Sequence, residues 1–202
     1  MEKEKIIKEI LEREWVFFQM AQNTGGRVSC QDNKEEFVIM RESQWKTLPL
    51  NILESYLEDL KIAERNRQNT VVEKYARMMK YSAPDEYEKI KKFLPEISEE
   101  KMKIADQIVE MYLDWERDLI KKYPKLTDRG RPLNSKDDTP EYTSIETYLR
   151  GELLSYSLKT VKLYFDYIKE CIEKNINLAK INIENIVKEK GYASLEDAED
   201  KI

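Results

Sequence analysis

Histidine is absent from the 202-residue sequence. Ser-His-Asp and Cys-His catalysis are therefore excluded, together with zinc sites that need histidine and di-iron sites built from Glu-x-x-His pairs. Glu, Asp, Lys, Tyr and Cys remain as residue types for acid–base chemistry. This composition leaves open whether the protein is an enzyme, and no residue pattern identifies a cofactor.

Cysteine is scarce, and long apolar runs are missing. Cys30 and Cys171 lie far apart, with no metal-ligand spacing, and one pair is not the disulfide framework of a secreted protein. The charged first residues lack the apolar core of a signal peptide, and no stretch approaches 18 consecutive apolar residues. A net charge of −5 argues against a general nucleic-acid binder, which needs a basic face, but leaves a local basic pocket open. We therefore expect a soluble, cytoplasmic protein with no nucleic-acid and no membrane partner.

Alternating strand patterns are also missing, whereas apolar residues recur at steps of three and four throughout the chain. The predicted fold is all-α: a single domain over residues 1–202, with about six to eight helices and one long irregular loop at 124–142. A tail at 192–202 is expected to fray. The predicted helices cover residues 3–22, 33–44, 50–81 with a break near Asn69, 82–94, 98–123, 144–174 and 176–190.

Glycine occurs only five times, and three of the five glycines stand beside arginines in predicted interhelical loops. Glycine permits close backbone approach, and the arginine fork suits carboxylate or phosphate, so these loops are candidates for holding an anion. The alternative is that the first pair simply ends helix one and the second loop is a solvated turn. The residues concerned are Gly25, Gly26 and Arg27 in the first loop, and Arg129, Gly130 and Arg131 in the second.

The first loop also carries Cys30 and Gln31, close to a predicted helix start. A thiol near Arg27 is a candidate nucleophile or redox-sensitive group. The competing interpretation is burial, because free cysteine is among the most commonly buried residue types. Cys171 lies on the apolar stripe of its helix, which predicts a core position.

A polar helical segment, SIETYLRGELLSYS at 144–157, contains a glycine inside a helix. Such a glycine costs about 1 kcal/mol relative to alanine, which indicates that a loop, a helix or a ligand approaches the backbone at Gly151. Glu146 and Arg150 are spaced as helix neighbours, as are Tyr148 and Glu152. A similar mixture occurs around Glu73 and Tyr75. Ordinary core packing and surface pairing is the alternative interpretation of both segments.

The blocks GGRVSCQD, EKYARMM, RGRPL and SIETYLRGELLSYS occur in this order between about Glu14 and Tyr167. In this respect the chain resembles a family of bacterial proteins catalogued as a domain of unknown function (family 4125). The resemblance implies a bacterial, cytosolic, self-standing domain. It brings no activity and no catalytic residues that could be assigned to this chain.

Three hypotheses follow. The first is a helical protein that binds a small anionic ligand, a nucleotide or a carboxylate metabolite, in an Arg-, Glu- and Tyr-lined pocket; a glutamate would be the base if it is an enzyme. The second is a non-catalytic interaction module with a protein partner or a homo-oligomeric state. The third is a divalent-metal site made of carboxylates alone and acting on phosphate esters. The candidate ligand-binding residues are Arg27, Cys30, Gln31, Glu73, Tyr75, Arg129, Arg131, Glu146, Tyr148, Arg150 and Glu152.

Overall fold

The computed structural model describes residues 2–22, 26–27 and 29–202. These residues form eleven α-helices and no strand, so the all-α prediction is confirmed, whereas six to eight helices was too low a number. The helices are α1 (Glu2–Met20), α2 (Lys34–Lys46), α3 (Leu50–Arg65), α4 (Thr70–Ser82), α5 (Pro84–Ile90), α6 (Glu99–Lys122), α7 (Pro124–Asp128), α8 (Ile145–Ser155), α9 (Leu158–Glu173), α10 (Leu178–Glu189) and α11 (Leu195–Lys201).

Side-chain caps divide two long predicted helices. The predicted break near Asn69 is confirmed: its side chain accepts hydrogen bonds from the backbone N–H groups of Val71 and Val72 and starts α4. The predicted helix 144–174 is divided in a way that the sequence did not reveal. The Ser157 hydroxyl accepts from Thr160 N and starts α9, while Ser157 N donates to Asp59 Oδ2. A capping hydroxyl stabilises a helix start, which explains the additional boundary.

Short helices occupy the predicted loop and the predicted frayed tail. Residues 124–142 include α7, which has Pro124 in its first turn, and a 3₁₀ turn at Ser135–Asp137. In the tail, α11 buries Leu195 and Ala198, and the Glu199 carboxylate accepts hydrogen bonds from the backbone of α7. The tail therefore packs onto the end of α6 and α7 instead of fraying.

The core brings α4 and α8 together and packs α4 against α1 and α8 against α6. α4 contacts α1, α5 and α8, and α6 contacts α8, α9 and α10. The largest buried cluster draws side chains from α1, α3, α6, α8 and α9. Every helix within the described ranges is too short or too polar to cross a lipid bilayer.

Candidate functional site

The paired helices α4 and α8 carry most of the predicted site residues. Glu73 and Tyr75 lie on α4, and α8 carries Glu146, Tyr148, Arg150 and Glu152. Ser144 caps α8 by accepting from Thr147 N. Two groups of charged side chains lie at this helix pair, and they differ in how their charges are satisfied.

The first group is a buried ion cluster formed by Glu14, Arg41, Lys74 and Glu152, whose residues are between 2% and 7% exposed. Arg41 Nη2 lies 2.5 Å from Glu14 Oε1 and 3.1 Å from Glu152 Oε1. Lys74 Nζ lies 3.6 Å from Glu152 Oε2. Two cations and two carboxylates from four helices thus cancel each other in the interior.

Neutral donors complete the ion cluster. Glu14 accepts from Tyr56 Oη at 2.8 Å and from Trp45 Nε1 at 3.1 Å. Glu152 Oε1 accepts from Tyr156 Oη at 2.5 Å and from Gln44 Nε2 at 2.9 Å. Every carboxylate oxygen of the cluster therefore has at least one donor, which is the condition for burying charge without a large penalty.

The cluster keeps Glu152 ionised. Burial raises the pKa of Glu152, but the charges of Arg41 and Lys74, together with the hydrogen bonds from Arg41 and Tyr156, outweigh it and bring the pKa to about 2. Burial and the neighbouring Glu152 charge raise the pKa of Tyr156, so its hydroxyl remains a donor. At neutral pH this arrangement is a fixed internal salt bridge and not a proton-accepting base.

Tyr148 extends the cluster toward the second predicted arginine loop. Lys74 Nζ donates to Tyr148 Oη at 2.9 Å and lies 4.3 Å from the ring centroid. The Arg131 guanidinium lies 4.5 Å from the same centroid, and its Nη1 donates to the carbonyl and the hydroxyl of Thr143. Tyr75 is half-buried beside Lys74. One of the two arginine loops therefore reaches the α4–α8 pair.

The polar groups of the first arginine loop bond to one another and to the C-terminal part of α1. Arg27 is exposed and donates to Asp32, to Gln19 and to the carbonyl of Gln31. The Gln31 amide is buried and donates to the carbonyls of Phe18 and Ala21 at the end of α1. These hydrogen bonds give Arg27 and Gln31 a local structural role.

Cys30 is exposed, so the expectation that it is buried is wrong, whereas the core position of Cys171 is confirmed. The 3₁₀ turn at Ser29–Asp32 holds the thiol at the surface before α2 begins. Gly26 has a φ of 90°, which glycine adopts readily. Its predicted companion Gly25 lies outside the described residues.

Arg129 lies at the end of α7, where its guanidinium donates to the carbonyl of Ile202. This contact joins the loop to the C-terminal residue. The structure thus places Arg129 against the tail of the chain, while Arg131, two residues later, lies over Tyr148.

The second group of charges surrounds a basic cavity of about 40 Å³ between α4, α5, α6 and α8. Three of its lining residues are cationic, two are tyrosines, and Gly151 forms part of the wall. The full lining is Arg77, Lys80, Tyr81, Tyr87, Met102, Arg150, Gly151 and Leu154.

Carboxylates bind both arginines of the basic cavity, and one guanidinium nitrogen of each arginine forms no hydrogen bond with the described residues. Arg77 donates through Nε and Nη2 to Glu73, and through Nη2 to the carbonyl of Pro95. Arg150 donates through Nε to Asp106 and through Nη1 to Glu146. Within the described residues, Arg77 Nη1 and Arg150 Nη2 take part in none of these bonds. Predicted residues Glu73 and Glu146 therefore orient the arginines.

Gly151 explains how the two helices approach. A Cβ at this position would lie 2.8 Å from Met78 Cγ and 3.1 Å from the carbonyl oxygen of Lys74. The prediction that another element comes close here is confirmed, and the element is α4. This approach brings Arg77 of α4 and Arg150 of α8 to the same cavity.

A shallow groove of about 660 Å³ runs along α6 next to the basic cavity. The two share Met102, and Asp106 of the groove is the ion-pair partner of Arg150. We call this surface the α6 groove. Its lining is Ile97, Glu99, Met102, Lys103, Asp106, Gln107, Glu110, Met111 and Asp114.

Glu14 and Arg41 are not among the site residues predicted from the sequence, although one sequence feature indicates Glu14. It follows Ile10 and Leu11 at helical spacing and precedes Phe17 and Phe18, so it interrupts an apolar stripe, which indicates a buried charge that needs a partner. The carboxylate-only metal site gains no support: in the part of the chain that the structure describes, no three Cys, Asp or Glu side chains are grouped as metal ligands.

Comparison with known proteins agrees with the resemblance drawn from the sequence blocks. A family model described as "Protein of unknown function (DUF4125)" matches residues 4–200. No curated protein and no solved structure matches the chain.

Proposed function

Because the chain belongs to the DUF4125 family, whose function is unknown, we argue its role from its own residues and propose that it binds a small anionic group in the basic cavity. One observation carries this proposal: Arg77, Lys80 and Arg150 line a single small cavity. Guanidinium groups recognise carboxylate and phosphate through paired hydrogen bonds, and they do so most strongly where water is excluded.

The N–H donors of the cavity that bond to no described protein group support the proposal. Arg77 is 8% exposed, and its Nη1 bonds to none of the described protein groups. Lys80 is exposed and forms no ion pair with the described residues. The Asp106 side chain, which partners Arg150, is 49% exposed, so water screens its charge. An incoming anion would therefore meet oriented donors whose partners hold them in place without using all of their N–H groups.

The cavity volume limits which part of a ligand enters. A buried water needs about 10–15 Å³ of such space, so a cavity of about 40 Å³ holds roughly three water-sized groups. That is the size of a carboxylate, and it is too small to enclose a nucleobase. If the ligand is a nucleotide or a larger metabolite, only its anionic end would enter the cavity.

The experiment is a thermal-shift and calorimetric titration with acetate, succinate, citrate and inorganic phosphate, against sodium chloride at the same ionic strength. A ligand that binds only the folded state raises the melting temperature in a saturable way. We expect such a rise for at least one of these anions. Lys80→Gln should weaken it several-fold and Arg150→Gln should abolish it.

Lys121→Gln is the matched control, because Lys121 is an exposed lysine on α6 whose pairing with Asp118 is also exposed. This variant should bind the anion like the wild type. Equal shifts in the wild type and in Arg150→Gln, with the fold verified by circular dichroism, would rule out the cavity as the binding site.

Other expectations stay predictions. Both cysteines are free, which supports the proposed cytoplasmic location through a reducing compartment. The bacterial source, the absence of a nucleic-acid partner, and a protein partner or homo-oligomeric state are predictions of the same kind.

A further inference from the structure

The basic cavity and the α6 groove are adjacent, although the side chains that line them carry opposite net charge. Met102 lines both, and the ion pair between Arg150 Nε and Asp106 Oδ1, at 2.9 Å, stands at their boundary. A ligand that places an anionic group among the arginines therefore has its next atoms at the edge of the groove. The groove then determines what kind of ligand the cavity accepts.

The α6 groove is lined mainly by apolar and acidic side chains. Ile97, Met102 and Met111 supply the apolar surface. Four carboxylates oppose one ammonium: Glu99, Asp106, Glu110 and Asp114 against Lys103. Asp106 is paired with Arg150 and Asp114 with Arg117.

Two of these carboxylates are available to a ligand. Glu99 and Glu110 are exposed and form no ion pair within the described residues. A groove lined by both apolar side chains and exposed carboxylates complements a ligand that carries apolar and cationic side chains.

We propose that the ligand is the C-terminal segment of a basic protein or peptide. Its terminal carboxylate binds in the basic cavity, and its preceding lysine or arginine and apolar residues lie along the α6 groove. This inference rests on the proposed function, because the same cavity holds the anionic end. It goes further in naming the bearer of that anion and the surface that selects it.

The dimensions fit a short extended segment. Asp106 and Asp114 are eight residues apart on α6, so the groove extends about 12 Å beyond the cavity at 1.5 Å per helical residue. An extended chain covers about 3.3 Å per residue, so about four residues span this distance. Such a segment places an apolar side chain on Met111 and a cationic side chain beside Glu110.

The test uses four fluorescein-labelled pentapeptides in anisotropy titrations with the full chain at two salt concentrations. The reference peptide is AKLKL with a free C-terminal carboxylate. The second carries a C-terminal amide, the third is AELEL with a free carboxylate, and the fourth is the AELEL amide. We expect the reference peptide to bind at least tenfold more tightly than each of the other three.

Variants separate the two halves of the site. Glu110→Lys should weaken the reference peptide at least fivefold and leave the phosphate or carboxylate titration unchanged. Lys80→Gln should weaken both. Glu100→Gln is the control for Glu110→Lys, because Glu100 is an exposed α6 carboxylate paired with Lys162 outside the groove.

The failures are distinguishable. Equal binding of AKLKL and its amide would overturn the inference, because the carboxylate would then lie outside the cavity. Equal binding of AKLKL and AELEL, with no effect of Glu110→Lys, would overturn the role of the groove. Absence of peptide binding together with a saturable small-anion shift would overturn the inference and leave the proposed function standing. Absence of both would overturn both.

Discussion

The buried ion cluster and the basic cavity are built on the same two helices, and both combine arginine with glutamate. In the cluster, Arg41 uses all three of its guanidinium nitrogens on Glu14, Glu152 and Gln44. In the cavity, Arg77 and Arg150 each keep one nitrogen unbonded to the described protein groups. The difference separates a charge network that stabilises the fold from one that retains capacity for a ligand.

The largest expected effect comes from breaking the internal network. Arg41→Met leaves the carboxylates of Glu14 and Glu152 buried without their shared cation, and removing one partner of a buried ion pair costs about 3–5 kcal/mol. Urea unfolding should show a loss of that size. Arg65→Met is the control, because Arg65 pairs with Glu58 at the surface, and it should change stability by less than about 0.5 kcal/mol.

A loss below about 1 kcal/mol in Arg41→Met would show that the cluster does not stabilise the fold. The buried ion cluster would then no longer differ from the basic cavity in its contribution to stability.

A second buried carboxylate sharpens the comparison because it lacks the partners of Glu152. Glu116 of α6 is 7% exposed, and no hydrogen bond or ion pair within the described residues involves its carboxylate. Burial raises its pKa from 4.5 to about 7. Because the folded pKa is raised, the stability associated with the neutral carboxyl is present below about pH 4.5 and is lost as the pH rises through about 7.

Glu116→Gln should therefore gain stability relative to the wild type between pH 5 and pH 8. The shift of about 2.5 pKa units limits this gain to roughly 3 kcal/mol. Melting curves at half-unit pH steps measure the gain, with exposed Glu96→Gln as the control. Glu152 has the opposite sign, because its lowered pKa of about 2 makes its contribution disappear only as the pH falls from 4.5 toward 2. A pH-independent difference for Glu116→Gln would contradict this account.

A smaller effect on stability is expected from substituting Gly151, which lies between the ion cluster and the basic cavity. Gly151→Ala would place its Cβ against Met78 Cγ and the Lys74 carbonyl, and overpacking typically costs about 1–3 kcal/mol. The gain in helix propensity, about 1 kcal/mol, offsets part of it. Chemical denaturation should show a net loss of up to about 2 kcal/mol. Adding Met78→Ala should recover part of the Gly151→Ala loss in a double-mutant cycle, whereas a stabilising Gly151→Ala would show that the helices do not meet as described.

Local chemistry made part of this fold predictable. Ser98 and Ser144 accept from the backbone three residues later, as expected of helix caps, and Gly191 takes a φ of 87° after α10. The cost of a glycine inside a helix predicts a close contact at Gly151, although it does not identify the partner helix. These features depend on neighbouring residues alone, so a single sequence contains them.

Long-range pairing was not predictable in the same way. Arg41 lies 27 residues from Glu14 and 111 residues from Glu152, so their meeting depends on how four helices pack. The same limit applies to the basic cavity: helical spacing pairs Arg150 with Glu146, but only the approach of α4 and α8 brings Arg77 and Arg150 to one cavity. The glycines next to Arg27 predict a loop that holds an anion, but the guanidinium of Arg27 donates to Asp32, Gln19 and Gln31 nearby.

The most direct test records arginine Nε–Hε correlations by NMR while the small anion selected by the thermal-shift panel is titrated into the protein. Arg→Lys variants assign the signals. We predict saturable shifts for Arg77 and Arg150 with the same dissociation constant, and an unchanged signal for Arg41. Two results would contradict the claim that the unbonded N–H groups of Arg77 and Arg150 bind the ligand. One is a shift of the Arg41 signal without shifts of the Arg77 and Arg150 signals. The other is small, non-saturating shifts of all surface arginines.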